Sequence, residues 1–399
     1  GYYSKIQNWK MQMATPNDTT PYLVAFWNVK AGPVVIDFPA SNAGIGIFGT
    51  LMDAWQRALE DVGATGLDRG RGAKYLILPP GYRGTIPTGY TPIQQETFNG
   101  YTALRPIMPD TSEASLEKVV ALAKTIKIYP LAKADMPPAM NYVDLYDKFV
   151  IGIPTFNESY FDELNDIIQE EIIDEKDLVM LGMLKYIGIE KGVPFKPDTQ
   201  TREMLGKAAE DAHKHLIDLY HTHLIPPYYE GTRWTSIVPE GAFETGLTYQ
   251  YPGRLDYQSR GALYYAILSS SKNLGAATFY LSNAKDPQGN WLDGGSSYKL
   301  NVPANVPARD FWSVVAYDLE SATWILEQPK VGVDSLAGDL QVNDDGTVDV
   351  YLGPDAPQGK ESNWIPTAPG KRFFIMFRWY GPEPAVFTKA WKLNDLEKL

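Results

Sequence analysis

The sequence predicts a mainly β protein with helices, of the α+β class, in which two β-rich units flank a helical section. One observation is the composition: 34 glycines, 30 prolines, 25 tyrosines and 10 tryptophans accompany short apolar runs separated by turn residues, which is typical of sandwiches and barrels. A second observation is a helical period between residues 158 and 224. A third is the return of strand-like runs after that section. With 399 residues, of which 44% are hydrophobic, the chain can build two or three cores.

The first unit, predicted over residues 1–135, is β-rich and closes with a helix. Residues 21–39 predict two strands joined by an Ala-Gly-Pro turn, and residues 73–84 predict a buried third strand that prolines end. Residues 112–131 carry apolar side chains at a helical period that Ser or Thr caps open.

Glycines at 44, 46 and 49 spell G-x-G-x-x-G after the strand-like run that ends at residue 38. In a dinucleotide-binding turn the strand leads directly into the first glycine, and an acid ends the next strand about 20 residues later. Here residues 39–43 intervene, and Asp68 has the right spacing but lies in a turn-like stretch. We therefore interpret the glycines as points of close backbone packing before a helix that begins near Thr50. No cofactor is predicted.

Residues 136–235 form the predicted helical connecting section, which is strongly acidic. It holds all four histidines of the chain: His213, His215, His221 and His223. No two of them are three or four residues apart, so one continuous helix would not bring a pair together on a metal ion. If the helix ended near Tyr220, the last two would share a face of an extended segment. We predict no metal site and interpret the histidines as exposed or near a helix C-terminus.

The second β-rich unit is predicted over residues 236–399. Residues 339–353 alternate around Asp345-Gly346 and predict a β-hairpin. The same stretch lacks the full spacing and the glutamate of a calcium loop, so it is interpreted as a plain turn. Residues 371–382 are almost continuously apolar and predict a strand buried on both faces.

Charge, cysteine content and hydropathy exclude several functional classes. The net charge is −12, and no run of Lys and Arg is present that would neutralise a phosphate backbone, so nucleic acid is not an expected partner. No stretch approaches the roughly 18 to 20 apolar residues of a membrane span, so no membrane insertion is expected. The absence of cysteine excludes disulfides, cysteine nucleophiles and thiolate metal sites. The motifs of serine hydrolases, zincins and P-loop enzymes are also absent.

The chain begins with Gly1 rather than Met, and no leader of basic and then apolar residues precedes the fold. We therefore expect that processing or trimming has removed residues.

Polar residues mixed with aromatic residues at predicted element ends are the candidate site. Rings could stack a ligand there while carboxylates or Arg orient it, although such residues also cap turns and fill cores. The predicted catalytic residues are Asp18, Asp53, Asp293 and Tyr298, and the predicted substrate-binding residues are Trp55, Arg57, Arg105 and Arg378. In this hypothesis Asp18 or Asp293 acts as a base or orienting group, Tyr298 donates a proton, and either Arg105 or Arg378 holds an anionic group.

Several stretches carry a resemblance to known bacterial families. At "TPNDTTPY", "GPVVIDFP", "DAWQR" and "GRGAKYLILPPGYRGTIPTGY" the chain resembles the domain of unknown function 1254, over about residues 14–131. At "LQVNDDGTVDVYLGP" and "ESNWIPTAPGKRFFIMFRWYGP", with residues 286–318, it resembles the domain of unknown function 1214, over about residues 280–392. The stretch "MLKYIGIEKGVPFKPD" is similar to the segment between these two domains.

The resemblance implies two jelly-roll-like β-sandwiches separated by a helical segment, and it implies oligomerisation. It implies that residues 39–57 form a loop entering a helix rather than a dinucleotide turn. Because many members carry export signals, it implies a periplasmic or secreted location. It implies no established reaction.

Three functional hypotheses follow. The chain is an enzyme, for which hydrolysis is one candidate reaction, or a binding protein, with a polar and aromatic cleft for a small molecule near the junction of the sandwiches. Alternatively it is a structural, self-assembling protein whose exposed aromatic residues form subunit contacts. In the third hypothesis the sandwiches bind glycans through surface Trp and Tyr.

Overall fold

The computed structural model describes residues 1–42, 44–272 and 278–399. Two pairs of packed β-sheets lie in the N-terminal and C-terminal parts of the chain, and helices fill much of the sequence between them. The mainly β, α+β class predicted from the sequence is confirmed.

The N-terminal part is built from short strands. Its strands are β1 (Met11–Gln12), β2 (Leu23–Asn28), β3 (Val34–Phe38), β4 (Gly46–Asp53), β5 (Ala58–Gly63), β6 (Ala73–Leu78), β7 (Tyr90–Gln94), β8 (Asn99–Ile107) and β9 (Lys127–Pro130). One antiparallel sheet has the order β2-β8-β4-β5, and a mixed sheet has the order β7-β6-β3-β9. Apolar side chains from both sheets share one core, so the sheets form a sandwich.

Helix α1 (Glu113–Ala123) closes this core as the sequence predicts. Ser112 caps it by accepting a hydrogen bond from the Ser115 amide, and Val119 and Leu122 are buried in the sandwich. The two strands predicted within residues 21–39 are also present, as β2 and β3. They belong to different sheets, so the chain crosses the sandwich between them.

The helix predicted from Thr50 is absent from the structure, because β4 continues to Asp53 and pairs with β5 as a hairpin. Two features favour the strand. A Cβ on Gly49 would lie 2.8 Å from a Leu104 methyl, so this glycine allows β4 to pack closely against β8. Within the hairpin the Thr50 hydroxyl donates to the buried carboxylate of Asp61 at 2.7 Å. Gly49 thus serves close packing, as predicted, but between strands, whereas Gly44 has open space around it and takes a left-handed conformation with φ of +81°.

The predicted helical section is present between the two β-rich parts. Its elements are strand β10 (Val150–Ile151), helix α2 (Ser159–Glu170), the 3₁₀ turn Glu175–Asp177, helix α3 (Leu178–Lys185), helix α4 (Thr199–Asp218) and the π-helical turn Leu219–His223. Asp198 caps α4 by accepting from the Thr201 amide. The histidines at the end of α4 lie in helical turns rather than in an extended segment.

The C-terminal part follows a set of small elements. These are β11 (Thr235–Ser236), helix α5 (Ala242–Thr245), β12 (Gln250–Tyr251), β13 (Arg254–Leu255) and helix α6 (Tyr257–Ala266). The sandwich strands are β14 (Thr278–Asn283), β15 (Tyr298–Val302), β16 (Ala308–Asp318), β17 (Gly332–Asp334), β18 (Val348–Gly353), β19 (Trp364–Pro366), β20 (Phe373–Pro382) and β21 (Glu397–Lys398), with helix α7 (Pro384–Phe387) and the 3₁₀ turn Glu361–Asn363.

One C-terminal sheet has the order β11-β14-β20-β16-β17 and is antiparallel, and the other has the order β19-β18-β15-β21. Strand β20 lies in the middle of the larger sheet and is buried on both faces, as predicted. The hairpin predicted over residues 339–353 is only partly present. The turn at Asp345-Gly346 forms, but β18 pairs with β15 and β19, and residues 339–343 form no strand.

The two sandwiches meet through a shared apolar core. Val24 and Ala103 of the N-terminal part contact a cluster that includes Tyr317 and Met376 of the C-terminal part, and helices α4 and α6 contribute Ile217 and Ala262. Within the described ranges, the helices are all too short or too polar to cross a membrane.

Candidate functional site

The eight predicted site residues fall in three separate places. Asp53, Trp55 and Arg57 lie at the β4–β5 turn, and Asp18, Arg105 and Arg378 meet at the junction of the two sandwiches. The last two, Asp293 and Tyr298, lie beside each other at the edge of the C-terminal sandwich. The structure therefore brings together two sets of three predicted residues, and the pair of Asp293 and Tyr298 lies apart from both sets.

The β4–β5 turn is organised by the carboxylate of Asp53, whose side chain is buried. One oxygen accepts from the Trp55 and Arg57 amides, each at 2.9 Å, and the other accepts from Arg57 Nε at 2.6 Å. Gln56 takes a left-handed backbone conformation, with φ of +57°, so that the chain reverses direction. Arg57 also donates to Glu96 at 2.8 Å. Both oxygens of Asp53 are thus used to hold the turn.

Helix α6 fixes the same turn from the other side. Arg260 donates to the Trp55 carbonyl at 2.9 Å and to the Thr248 carbonyl at 3.2 Å. The Tyr264 hydroxyl donates to the carbonyl of Gln56. These bonds satisfy turn carbonyls that no strand partner reaches. Sequence reasoning missed both α6 residues, although the "YQSRGALYYA" pattern places them four positions apart on one helix face.

The helical section covers this turn and borders a half-open cavity of about 990 Å³. Glu171, at the end of α2, is buried and accepts from the Phe98 and Asn99 amides at 2.5 and 2.8 Å, which ties the helices to the N-terminal sandwich. The cavity lies between the turn, α2, α3 and α6. Apolar and aromatic residues provide most of its lining, among them Trp55, Tyr160, Leu164, Ile168, Leu181, Leu184, Tyr264 and Leu268.

Two basic residues at the border of the cavity are paired with carboxylates. Arg57 binds Asp53 and Glu96, and Lys176 binds Asp174 at 2.6 Å. The pKa of Arg57 is raised, because the attraction of Asp53 and Glu96 outweighs the opposing effect of burial. A ligand would therefore meet an apolar interior with neutralised ion pairs at its border.

The second set lies where strand β20 faces the N-terminal sandwich. Arg378 is 2% exposed and donates through Nη2 to the carbonyls of Thr15 at 3.0 Å and Pro16 at 3.4 Å. Nη2 also contacts the hydroxyl of Tyr317, which itself donates to the Pro16 carbonyl at 2.8 Å. The segment before β2 is held on the C-terminal sheet by these bonds.

Asp18 and Arg105 complete this set from the N-terminal side. Oδ1 of Asp18 is inaccessible to solvent, and burial raises the pKa of the carboxyl to about 6, although the charge of Arg378 opposes the rise. Arg105, on β8, lies over the ring of Tyr22 with its guanidinium carbon 5.6 Å from the ring centre. We call Asp18, Tyr22, Arg105, Tyr280, Arg378 and Tyr380 the junction cluster.

Asp293 and Tyr298 make local contacts. The Tyr298 hydroxyl accepts from the Asp293 amide at 3.1 Å, and the Tyr298 ring is 1% exposed in the C-terminal core. The Asp293 carboxylate accepts from the Gly295 amide at 3.1 Å, as in an Asx turn. These contacts stabilise a local turn at the edge of the C-terminal sandwich.

Histidines and acidic residues are the side chains of this chain that could hold a metal ion. In the part of the chain that the structure describes, no three His, Asp or Glu side chains are grouped to hold a metal ion. His221 packs against Tyr220, Tyr265 and Phe374 with its Nε2 inaccessible to solvent, and burial lowers its pKa to about 3, which favours the neutral ring. Burial also lowers the pKa of His213, which stacks on Phe156 at 3.8 Å.

A second recess of about 680 Å³ lies on the C-terminal sandwich and is lined by carboxylates and amides. It includes the turn at residues 343–349 that resembles the start of a calcium loop. There the Asp345 carboxylate accepts from the Thr347 amide and hydroxyl at 3.0 and 2.7 Å. This carboxylate stabilises the turn.

Comparison with known proteins gives two family matches. The DUF1254 model, a protein of unknown function, matches residues 3–130, and the DUF1214 model, also a protein of unknown function, matches residues 277–384. The comparison with curated proteins finds no match.

Two solved structures are similar to the chain. The VPA0106 protein from Vibrio parahaemolyticus is 17% identical with a TM-score of 0.54, and the match covers 96% of this chain and 90% of that one. An uncharacterized protein from Burkholderia cenocepacia is 13% identical with a TM-score of 0.41, over 97% of this chain and 78% of that one. The first likeness shows a common fold along almost the whole chain.

Proposed function

We propose that this chain, in which a DUF1254 region precedes a DUF1214 region, binds an apolar or amphipathic small molecule in the helix-covered cavity. The observation that carries the proposal is the cavity of about 990 Å³ with its mostly apolar and aromatic lining. Pockets of this size and character commonly bury most of the surface of a small organic ligand. The cavity is where Trp55 and Arg57, two of the predicted binding residues, lie.

The arrangement around the cavity supports binding more than hydrolysis. Both oxygens of Asp53 hold the turn, so this carboxylate is not free to act as a base. The ligand would rest its apolar part on Trp55, Leu164 and Leu181. Its polar end would lie towards the paired charges of Arg57 and Lys176, where water remains accessible.

The test uses the fluorescent probe anilinonaphthalene sulfonate, which has an apolar ring system and one anionic group. We expect saturable fluorescence enhancement with the unmodified chain. Leu164→Trp adds ring volume inside the cavity and should weaken probe binding about tenfold or more, because the added side chain occupies the space of the ligand. The matched control is Met204→Trp on α4, where the native side chain is 58% exposed and outside the cavity.

Equal probe binding by both variants would contradict the proposal. Urea unfolding of each variant separates loss of the cavity from loss of the fold.

Self-assembly is a second candidate, and helix α3 favours it. This helix is apolar on all sides, and no residue in it is buried: Leu181 and Leu184 line the cavity, while Val179 and Met183 are 75% and 62% exposed. Helices with apolar residues all round are normally covered, and a second copy of the chain would cover this one. Met183→Glu should lower the mass measured by light scattering, whereas Met204→Glu should not. A monomeric unmodified chain would exclude this candidate.

Glycan binding receives less support from the described residues. The strongly exposed aromatic side chains there are Phe26, Phe149, Tyr186, Phe243, Tyr257 and Phe387. Of these only Phe26 lies on a strand, so they form no row across a sheet.

Three further parts of the hypothesis rest on the family resemblance or the sequence pattern and stay proposals. These are the periplasmic or secreted location, the jelly-roll topology of the sandwiches, and the domain limits at residues 135 and 235.

A further inference from the structure

Strand β20 presents different chemistry on its two faces. Phe373, Ile375, Phe377 and Trp379 lie in the C-terminal core, which is apolar. On the opposite face, Arg378 bonds to the segment before β2 in the N-terminal part. Because strand side chains alternate, the sequence of β20 places one arginine into the junction between the sandwiches.

The arginine of β20 is not fully satisfied by the protein. Nη2 of Arg378 has carbonyl partners, but Nε is inaccessible to solvent and has no hydrogen-bond partner among the described residues. Its guanidinium carbon lies 4.9 Å from the centre of the Tyr280 ring. A buried N–H of a charged group is costly to leave without an acceptor, so this donor points to a missing anion.

A second guanidinium lies on the other side of the junction. Arg105, on β8, packs on Tyr22 and lies close enough to Arg378 for their like charges to repel, with the uncharged Tyr280 and Tyr380 nearby. Two like charges are therefore held near each other at the junction of two rigid sheets. Such a pair is stabilised when an anion lies between its members.

Neither of these two arginines has a carboxylate within ion-pair distance in the described residues. Arg69, Arg71, Arg83 and Arg233 also form no ion pair there but are exposed, and Arg260 instead donates to two carbonyls. The arginines that do form ion pairs are Arg57, Arg202, Arg254, Arg309 and Arg372. Asp18 is the acid of the junction cluster, and its Oδ1 also has no hydrogen-bond partner among the described residues. One carboxyl faces two guanidinium groups within the junction cluster, and the neighbouring Asp334 and Lys330, which also act on Asp18, carry opposite charges that offset each other.

We propose that the junction cluster binds the carboxylate of a small organic acid, with Arg105 and Arg378 donating to the anion and Tyr280 and Tyr380 packing against its body. Guanidinium groups match the planar carboxylate with paired N–H donors, and the tyrosine rings give a flat wall for an aromatic or unsaturated acid. Tyr380 already stacks on Phe311 with ring centres 4.0 Å apart, so the wall is fixed before a ligand arrives. This site is independent of the helix-covered cavity.

The test measures benzoate binding to the full chain by calorimetry and by the rise of Tm, with benzamide and inorganic phosphate as comparison probes. We expect benzoate to bind and benzamide not to bind, because only benzoate carries the charge. Arg105→Gln removes one guanidinium at the partly exposed side of the site and should weaken benzoate binding about tenfold or more. The matched control is Arg309→Gln, an exposed arginine of the neighbouring strand β16 that is paired with Asp310.

Absence of benzoate binding, or equal binding by Arg105→Gln and Arg309→Gln, would overturn the proposal. Binding of phosphate in place of benzoate would overturn the assignment to carboxylates. If Arg105→Gln failed to fold, Tyr280→Ala would replace it, since it removes the wall and leaves both charges. The cavity variant Leu164→Trp should bind benzoate normally, so failure of the cavity proposal and failure of this one are distinguishable.

Discussion

The helix-covered cavity and the junction cluster contrast in how their charged groups are satisfied. At the cavity, Arg57 and Lys176 each have carboxylate partners, and the interior is apolar. In the junction cluster, Arg105 and Arg378 have no carboxylate within ion-pair distance in the described residues, and Arg378 Nε has no acceptor. The difference teaches that a site with internally paired charges suits an apolar ligand, whereas one with unpaired charges suits a ligand that brings its own charge.

The largest expected effect comes from Asp53→Ala, which tests whether the cavity border depends on internal pairing. The change removes three hydrogen bonds and leaves the half-buried Arg57 with only Glu96 as an ionic partner. We expect a loss of about 3 kcal/mol in the free energy of unfolding, measured with urea, because a buried pair is broken on one side. Asp310→Ala, in an exposed pair, should cost less than about 0.5 kcal/mol. Similar losses in the free energy of unfolding for both variants would contradict the view that the cavity border depends on internal ion pairing.

A smaller effect is expected from Asp18→Asn, which tests whether the junction cluster contains a buried charge that is not paired. Burial raises the Asp18 pKa from 3.8 to about 6 in the folded chain. The folded state therefore binds the proton more tightly than the unfolded state, and the contribution of Asp18 to stability is full below pH 4 and falls as the pH rises through 6. At pH 7.5 the Asn variant should be about 2 kcal/mol more stable than the unmodified chain, with no difference below pH 4. A pH-independent difference in urea unfolding would contradict a charged, buried Asp18.

The smallest effect is expected from Tyr264→Phe, which probes how α6 supports the cavity. This change removes only the hydroxyl that donates to the Gln56 carbonyl and keeps the ring in the lining. We expect a loss of about 1 kcal/mol in the free energy of unfolding and a mild weakening of probe binding. Tyr186→Phe, at a 93% exposed position outside the cavity lining, is the control and should change neither quantity. If both variants behaved alike, α6 would have no part in fixing the turn.

Much of the secondary structure could be predicted because its signals are local. The Ser112 cap, the apolar period of α1, the buried strand β6 and the continuous apolar run of β20 all appear as expected. The segment "DAWQR" was predicted wrongly as helical, from the helix-like preference of the stretch after the glycines and from the family resemblance. The side chain of Asp53 and the pairing of β4 with β8 outweigh that preference.

The candidate site was predictable only as a set of residue types. Asp18, Arg105 and Arg378 were chosen as polar residues near aromatic ones, and Trp55 and Arg57 were chosen for the same reason. Nothing in the sequence showed that these form two separate places, and Arg260 and Tyr264 carried no visible signal of contact with the turn.

The sequence by itself determined many of the strands and helices, and which side chains of β20 face opposite directions, because both follow from local periods of two and 3.6 residues. Only the tertiary structure decided that Arg378 meets Arg105 and Asp18, and that α2, α3 and α6 border a half-open cavity over the β4–β5 turn. Those contacts join residues far apart in the chain. They depend on strand register and on how the two sandwiches pack, which no local pattern encodes.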